Sequence, residues 1–321
     1  MSLRVGIDVS PLVQTRAGTA RYIQGLRAHN EYVELQFAGR SRPATIVRDA
    51  YWYPRALPRE ALKRNLEVLH CPTFRGPFRS GVPVVVTVHD LAVLRHPETF
   101  NPWTRRYSRL AVPRVARAAR VVIAVSEFTR REIVELLRVP DDRICVIPNA
   151  VGPPFTPTGV AAEGEYALAV GTLEPRKNLA AAQQATRRLG LELRIVGEAG
   201  WGDVRVDGWV GRVSDERLAE LYRGARCLVY PSLYEGFGLP VLEAMACGTP
   251  VVTSAGGATE EVAGGAAVLV EPRDPASLVA GLTEALDRRE ELVARGLKRA
   301  GAFTWQHVAA ETWRAYEEAA E

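Results

Sequence analysis

Residues 230–250 read YPSLYEGFGLPVLEAMACGTP, and this stretch decides the fold. It begins at the end of a short apolar run, Cys227–Tyr230, which has the length of a buried strand, and it continues into a helical pattern over Leu239–Ala246. A strand that passes through a glycine-containing loop into a helix is typical of a doubly wound parallel sheet. The stretch therefore predicts an α/β fold with a ligand site at the carboxyl end of this strand.

The same alternation of strand and helix patterns extends over the whole chain. Strands are predicted at Arg4–Val9, Val33–Phe37, Glu67–His70, Val84–Val88, Val121–Val125, Ile144–Ile147, Tyr166–Val170, Leu191–Val196, Val204–Trp209, Cys227–Tyr230, Pro250–Thr253 and Ala267–Val270. Residues 149–164 are rich in proline and glycine, which indicates a linker. We therefore predict two Rossmann-like domains, residues 1–155 and 156–303, with ligands in the cleft between them.

The composition is that of a globular protein, since 47% of the 321 residues are hydrophobic and 24% are charged. No apolar run reaches the roughly 18 residues that span a bilayer. The first residues lead directly into a strand pattern, which leaves no room for a signal peptide. The four cysteines form no CxxC pair. We therefore expect a cytoplasmic protein with reduced thiols.

The net charge of +4 hides a division between the two halves. Residues 1–155 carry 24 basic and 13 acidic side chains, a net charge of +11, whereas residues 156–321 have a net charge of −7. Two stretches of the first half are strongly basic: one holds Arg55, Arg59, Lys63 and Arg64 after Tyr51-Trp52-Tyr53, and the other holds Arg105, Arg106, Arg109, Arg114, Arg117 and Arg120. They indicate either contact with an anionic acceptor or membrane surface, or ordinary solvated helix faces.

Several common sites are excluded by missing motifs. The chain has no GxGxxG after a strand and no GxxxxGK[ST], which disfavours a dinucleotide cofactor and a P-loop. It has no Asp-x-Asp pair and no cluster of histidines and cysteines at metal-ligand spacing, so we expect no metal. The arginines do not interleave with a nucleic-acid reader motif, so no nucleic-acid partner is expected.

Two loops of the second half carry the candidate site. Glu235 lies before the predicted helix and Glu243 one turn inside it, a placement that suits two separate sets of hydroxyls on one extended ligand. The backbone groups expected to face an anion there belong to Gly236, Phe237, Gly238 and Leu239. The other loop, Gly171–Asn178, contains Arg176 and Lys177. Fixed cations of this kind can hold an anionic group of a ligand where no metal is present.

These segments resemble the family 4 retaining glycosyltransferases, which have the GT-B fold. Glu235 and Glu243 match the family's Glu-x7-Glu motif. The loop from Gly171 to Lys177 is similar to its Gly-Arg-x-x-x-x-Lys donor-phosphate loop, with Thr172 where many members have arginine. The resemblance implies that the first glutamate holds the transferred sugar, the second holds the ribose, and the loop holds the donor phosphates.

Two further segments are similar to parts of that family. Residues 207–222 resemble the segment that holds the nucleotide base, where backbone groups near Val210 to Val213 would pair with the base edge. The last helical pattern, residues 304–321, resembles the terminal helix that crosses back to the first domain.

In the first half, His89-Asp90 ends a strand and matches the His-Asp pair that faces the transferred sugar in the family. The resemblance implies that His89 hydrogen-bonds a sugar hydroxyl or polarises the acceptor, and that Asp90 orients the sugar or the acceptor. Gly18, within Thr15–Tyr22, matches the family's glycine-containing loop near the donor phosphates.

The resemblance implies a retaining, metal-independent hexosyltransferase that uses a nucleotide diphosphate sugar and no cofactor. Its catalytic residues would be His89, Asp90, Arg176, Lys177 and Glu235. GDP-mannose is the favoured donor, with a UDP-hexose or dTDP-deoxysugar as competitor. The expected acceptor is a glycan, a lipid-linked sugar or a small molecule, and an anionic acceptor or the inner face of the cell membrane would explain the basic half. An epimerase, a phosphorylase and a non-catalytic sugar-nucleotide-binding protein are the alternatives.

Overall fold

The computed structural model describes residues 3–13, 18–39, 41–100, 102–200, 202 and 204–321, and it divides into two compact units. Unit 1 comprises Met1–Asn149 together with Trp305–Glu321, and unit 2 comprises Ala150–Thr304. The first junction therefore lies between residues 149 and 150, whereas the proline and glycine pattern predicted residues 155 and 156.

Unit 1 is built on a six-stranded parallel sheet with the strand order β2-β1-β3-β4-β5-β6. Its strands are β1 (Val5–Asp8), β2 (Val33–Leu35), β3 (Val68–Cys71), β4 (Val84–Val88), β5 (Val121–Ala124) and β6 (Ile144–Val146). The central strands are rich in valine and are buried along their whole length, as in sheets that helices cover on both faces.

The helices of unit 1 are α1 (Gly18–Arg27), α2 (Arg42–Val47), α3 (Leu57–Lys63), α4 (Ala92–Arg95), α5 (Pro102–Ala118) and α6 (Glu127–Glu132), with α13 (Trp305–Ala320) added from the end of the chain. A π-helical segment, Arg48–Ala56, joins α2 to α3. The Ser126 side chain accepts a hydrogen bond from the Thr129 amide and so caps α6.

The last helix is fixed to unit 1 by close packing and by buried hydrogen bonds. A Cβ atom on Gly25 of α1 would lie 2.3 Å from the ring of Trp305, so the glycine is needed for this approach. At the other end of the helix, the Tyr316 hydroxyl lies 2.7 Å from Nδ1 of the buried His70. The other ring nitrogen of His70, Nε2, lies 2.9 Å from the Thr87 hydroxyl.

Unit 2 contains a second six-stranded parallel sheet, in the order β12-β11-β10-β7-β8-β9. Its strands are β7 (Tyr166–Val170), β8 (Glu192–Val196), β9 (Trp209–Gly211), β10 (Cys227–Tyr230), β11 (Val251–Ser254) and β12 (Val268–Val270), and its helices are α7 (Leu179–Arg188), α8 (Asp215–Gly224), α9 (Leu239–Ala246), α10 (Ala258–Ala263), α11 (Pro275–Asp287) and α12 (Arg289–Ala300). Counted within the unit, this is the Rossmann order 3-2-1-4-5-6, which reverses between β7 and β10.

One strand prediction in unit 2 was wrong in its position. The pattern predicted a strand at Val204–Trp209, but β9 begins at Trp209 and ends at Gly211. Gly208 has a φ of +76°, and a Cβ atom on it would lie 2.0 Å from the Leu193 carbonyl oxygen. Since the chain turns at this glycine, regular pairing with β8 starts only after it.

Candidate active site

The candidate site of unit 2 lies where the strand order reverses. β7 and β10 are hydrogen-bonded neighbours, so the loops that follow them leave the same edge of the sheet. The first loop carries Arg176 and Lys177 and the second carries Glu235. The loops are joined directly, since the Leu233 amide donates to the Arg176 carbonyl over 2.8 Å. Ligands of doubly wound sheets bind at such a reversal.

Glu235 is the centre of this cluster. Its Oε1 atom accepts hydrogen bonds from Lys177 Nζ at 2.5 Å, from the Tyr230 hydroxyl at 2.7 Å and from the Ser232 hydroxyl at 2.6 Å. Its Oε2 atom accepts from Nη1 of Arg176 at 3.3 Å. Donors from two loops therefore fix a carboxylate whose side chain is only 12% exposed.

The charge of Glu235 follows from the same contacts. Burial alone would raise the pKa of this carboxyl, but the charges of Lys177 and Arg176 and the hydrogen bonds from Lys177 and Ser232 outweigh burial and lower the pKa to about 2. Glu235 is therefore ionised at neutral pH and acts as an acceptor of hydrogen bonds.

Arg176 has a second acidic partner that was not predicted from the sequence. Its Nη2 atom donates to Oε1 of Glu174 at 2.7 Å, and its Nη1 atom also donates to the Tyr234 carbonyl at 2.6 Å. The site thus contains two cationic and two acidic side chains in contact, rather than two unpaired cations. The spacing of Glu174, two residues before the arginine, is the signal that could have found it.

The loop from Gly171 to Asn178 is held by a close approach of two backbones. The Gly171 amide donates to the Val196 carbonyl at 2.9 Å, and a Cβ atom on Gly197 would lie 1.9 Å from the Gly171 carbonyl oxygen. Position 197 must therefore be glycine. Thr172 is half-buried in this loop, and the next amide, that of Leu173, donates to the Glu198 carbonyl at 3.0 Å.

The second loop enters α9 through a left-handed residue. Gly238 has a φ of +119°, a conformation that favours glycine. The first bonds inside the helix are donated by Val241 and Leu242, both to the Gly238 carbonyl. The amides of Gly238 and Leu239 precede these bonds, as the first-turn amides of a helix do, and they give this loop its capacity to bind an anion.

Most of the other residues of this loop and helix are buried. Gly236 and Phe237 lie inside the loop, and the ring of Phe237 packs edge-on against Phe303 with centroids 6.0 Å apart. Glu243 is 2% exposed, and its Oε2 atom accepts a hydrogen bond from the Tyr222 hydroxyl of α8 at 3.0 Å. The ribose contact implied for Glu243 stays a prediction.

The segment predicted to hold the base lies on the edge strand β9. Val210 is 49% exposed and Val213 is half-buried. The Gly211 carbonyl accepts from the Gly197 amide at 3.0 Å, which connects this strand to the loops around Gly171. An edge strand has backbone groups without a neighbouring strand, so it can offer them to a base.

The predicted residues of unit 1 surround a pocket of their own. A cavity of about 340 Å³ lies at the carboxyl ends of β1, β3 and β4, lined by Thr19, Arg48, Thr73, Arg75, His89 and Asp90 among others. Gly18 begins α1 and immediately precedes Thr19. The residues before it in the predicted loop, Thr15 to Ala17, lie outside the described residues.

His89 has a defined protonation state in this pocket. Its Nε2 atom lies 3.1 Å from the Pro72 carbonyl oxygen, which can only accept, so Nε2 carries the hydrogen. Burial lowers the pKa of His89, although Pro72 and Asp90 act in the opposite direction. The imidazole is therefore neutral and offers Nδ1 as an acceptor. Asp90 accepts from the Ala92 amide at 2.9 Å, at the start of α4.

Comparison with known proteins agrees with this geometry. Residues 4–153 match the family model described as Glycosyltransferase Family 4, and residues 156–298 match the model described as Glycosyl transferases group 1. The chain is 36% identical over 283 residues to O-antigen chain mannosyltransferase B of Escherichia coli, which covers 78% of this chain and 74% of that protein. The chain belongs to glycosyltransferase family 4.

Other relatives and solved structures are consistent with this family 4 glycosyltransferase. This chain is 33% identical over 285 residues to D-inositol 3-phosphate glycosyltransferase of Geodermatophilus obscurus, and the match covers 76% of this chain and 63% of that protein. Sucrose-phosphate synthase from Thermosynechococcus elongatus superposes with a TM-score of 0.74 at 18% identity, over 98% of both chains. WaaG, a glycosyltransferase involved in lipopolysaccharide biosynthesis, superposes with a TM-score of 0.73 at 14% identity, over 96% of this chain and 98% of that chain. The predicted GT-B fold and the enzyme class are confirmed.

Three charged residues in unit 1 of this glycosyltransferase were not predicted from the sequence. Asp49 is buried, and its Oδ1 atom accepts from Arg48 Nε at 2.9 Å and lies 3.5 Å from Arg75 Nε. Both arginines line the pocket of His89. The adjacent Arg48-Asp49 pair was a weak signal, because only the fold brings Arg75 to it.

The described residues contain no group of three or more His, Cys, Asp or Glu side chains that could hold a metal ion. Within the same part of the family 4 chain, no helix combines the length and apolar character needed to cross a membrane.

Proposed function

We propose that this glycosyltransferase transfers mannose from GDP-mannose with retention of anomeric configuration and without a metal. The observation that carries the proposal is the Glu235 cluster, in which Lys177 and Arg176 lie beside a fixed carboxylate where the strand order of unit 2 reverses. The choice of sugar is supported by the relatives named mannosyltransferase, including O-antigen chain mannosyltransferase B.

The leaving group in this proposal is the nucleoside diphosphate. Its phosphates would take Lys177 and Arg176, together with the amides of Gly238 and Leu239, as hydrogen-bond donors. Preorganised donors of this kind stabilise the charge that develops as the bond between the anomeric carbon and the phosphate oxygen breaks. Glu174 and Glu235 keep the two cations in place before the donor arrives.

Glu235 is better suited to hold the sugar than to attack it. Its Oε1 atom already accepts three hydrogen bonds, and a carboxylate with a pKa of about 2 is a weak nucleophile. We infer that the acceptor oxygen bonds to the anomeric carbon on the face that the diphosphate leaves. The departing phosphate oxygen then takes the acceptor's proton. His89 would accept a hydrogen bond from a hydroxyl through Nδ1.

The acceptor in this proposal is anionic and is a glycan, a lipid-linked sugar or a phosphorylated small molecule. Arg48 and Arg75 beside His89 support the negative charge. The relative named D-inositol 3-phosphate glycosyltransferase favours the phosphorylated small molecule as a second candidate. The arginines of unit 1 also support a peripheral position on an anionic membrane surface.

A panel of nucleotides tests the donor. We expect GDP and GDP-mannose to raise the melting temperature, because a ligand at 100 times its Kd adds about 2.7 kcal/mol to the free energy of unfolding. If only UDP or dTDP raised the melting temperature, a UDP or dTDP sugar would be the donor in place of GDP-mannose.

NMR of the product tests the stereochemistry and the metal independence. The anomeric configuration of the product is determined after turnover in the presence of EDTA. A β-mannoside, or loss of turnover in EDTA, would contradict retention or metal independence.

A further inference from the structure

A second cavity of unit 1, which we call the arginine groove, is not explained by donor binding. It has a volume of about 910 Å³ and lies between the π-helical segment and α5. Its apolar wall includes Phe78, Trp103, Tyr107 and Leu110. Trp103 is 41% exposed and Leu110 is 54% exposed. Large apolar side chains grouped in one concavity mark a binding surface.

The charged lining of the arginine groove is mostly positive, since it contains four arginines and the carboxylate of Asp49. Four arginines contribute to it, Arg55, Arg79, Arg106 and Arg114, and all four are exposed. In the part of the chain that the structure describes, no carboxylate forms an ion pair with any of them. Arg55 and Arg114 donate only to backbone carbonyls, those of Ala50 and Leu110. The groove therefore combines an apolar wall with uncompensated positive charge, which is complementary to an anionic amphiphile.

The groove shares a wall with the pocket of His89. Asp49 lines the groove, and it bonds Arg48 and lies beside Arg75, both of which line the pocket. On the groove side, Trp103 Nε1 donates to Oδ2 of Asp49 at 3.3 Å. A molecule in the groove thus lies next to the pocket where we place the acceptor's hydroxyl.

We propose that the arginine groove binds the hydrocarbon chain and phosphate of a single amphiphilic molecule, the lipid part of a lipid-linked acceptor. This inference rests on the proposed function for its biological meaning. A concave site of this volume, with apolar and cationic walls, has room for one hydrocarbon chain. The phosphate lies among the arginines and the sugar end extends to the pocket of His89.

Dodecyl phosphate below its micelle concentration is the probe, measured by titration calorimetry on the full chain. We expect saturable binding, no detectable binding of inorganic phosphate, and a loss of about fourfold in affinity for each methylene removed in decyl and octyl phosphate. The variant Arg79→Gln/Arg106→Gln should weaken dodecyl phosphate at least tenfold. Leu110→Gln should reduce the loss of affinity that accompanies each methylene removed from the alkyl phosphate.

Arg109→Gln is the matched control for the single variant Arg106→Gln, because both arginines are exposed on α5 and each substitution removes one charge, but Arg109 does not line the groove. It should leave dodecyl phosphate binding within twofold of the wild type. The groove assignment fails if dodecyl phosphate does not bind, or if Arg109→Gln weakens it as much as Arg106→Gln does. A different result would assign the arginines to a membrane surface instead. In that case the chain would bind phosphatidylglycerol vesicles but not dodecyl phosphate, and Arg106→Gln and Arg109→Gln would weaken vesicle binding equally.

Direct binding separates this inference from the proposed function. If dodecyl phosphate binds as described while GDP-mannose gives no transfer, the proposed donor is wrong and the groove stands. If transfer to a water-soluble acceptor is observed while dodecyl phosphate does not bind, the groove assignment is wrong and the proposed function stands.

Discussion

The candidate site of unit 2 and the arginine groove of unit 1 use arginine in different ways. In unit 2, Arg176 of the site is paired with Glu174, and Arg226 at the surface is paired with Glu165. In the arginine groove of unit 1, four arginines have no carboxylate partner among the described residues. Unit 1 has 25 basic and 17 acidic residues, and unit 2 has 16 basic and 20 acidic residues. The difference teaches that the net charge of a unit locates a ligand surface only once it is known which arginines are paired with carboxylates.

The largest expected effect breaks the pairing in unit 2. Glu235→Gln keeps the size of the side chain but removes the charge that Lys177 and Arg176 contact. We expect transfer to fall by at least about 100-fold, because the fixed acceptor and the placement of both cations are lost. Steady-state turnover with GDP-mannose measures this loss.

Glu291→Gln is the control, since it removes a carboxylate from an exposed pair of the same unit. Its turnover should equal that of the wild type.

The stability of Glu235→Gln adds a second readout. The melting temperature of the wild type should exceed that of Glu235→Gln at pH 4.5, and the difference should shrink as the pH falls towards 2. The reason is that Glu235, whose pKa is lowered in the folded chain, contributes stability only where its carboxyl is ionised. Turnover of Glu235→Gln at the wild-type rate would exclude this site.

The next effect concerns a buried arginine of unit 1 that is paired with a carboxylate. Asp49→Asn leaves Arg48, whose side chain is 3% exposed, without its carboxylate. Breaking a buried pair in this way should lower the free energy of unfolding by about 3 kcal/mol. Urea denaturation measures the free energy of unfolding of Asp49→Asn. The double variant Arg48→Met/Asp49→Leu, which removes both charges of the pair, is measured in the same way. Equal stability of Asp49→Asn and the wild type would show that the pair is not desolvated.

A third prediction tests the buried histidine that joins the terminal helix to unit 1. Burial, with a smaller effect of His89, lowers the pKa of His70 to about 3, so the unfolded chain binds a proton at a higher pH than the folded chain. Stability is then lost as the pH falls below about 6.5, by about 1.4 kcal/mol for each pH unit from this residue. His70→Gln should lack this slope in urea denaturation between pH 6.5 and 4.5. An identical slope in both proteins would assign it to other groups.

Much of the fold was predictable because strands and their loops are local in sequence. The valine-rich β4 and the stretch around Glu235 were predicted at or near their observed positions. The helix α12 and the π-helical segment Arg48–Ala56 were not predicted. The segment contains Pro54, and a proline inside a helix disfavours regular α-helical hydrogen bonding, so its π-helical form was not predicted.

The candidate site was predictable to a similar extent and for a similar reason. Arg176, Lys177 and Glu235 were identified from two loops, and parallel strands then bring the loops together. Glu174 and Asp49 were missed because their roles depend on which charges the fold places against them. The arginine groove was anticipated only as basic sequence, since Phe78 and Arg79 come to it from another part of the chain.

The smallest expected effect compares one arginine from each unit. Arg288 of unit 2 contacts Glu284 and Glu291 at the surface, and exposed pairs of this kind contribute little because water and salt screen them. Arg288→Gln and Arg106→Gln should therefore both leave the melting temperature unchanged within measurement error. Only Arg106→Gln should weaken dodecyl phosphate. If Arg288→Gln lowers the melting temperature clearly while Arg106→Gln changes neither property, then pairing does not separate structural arginines from ligand-facing ones, and the contrast between the units is wrong.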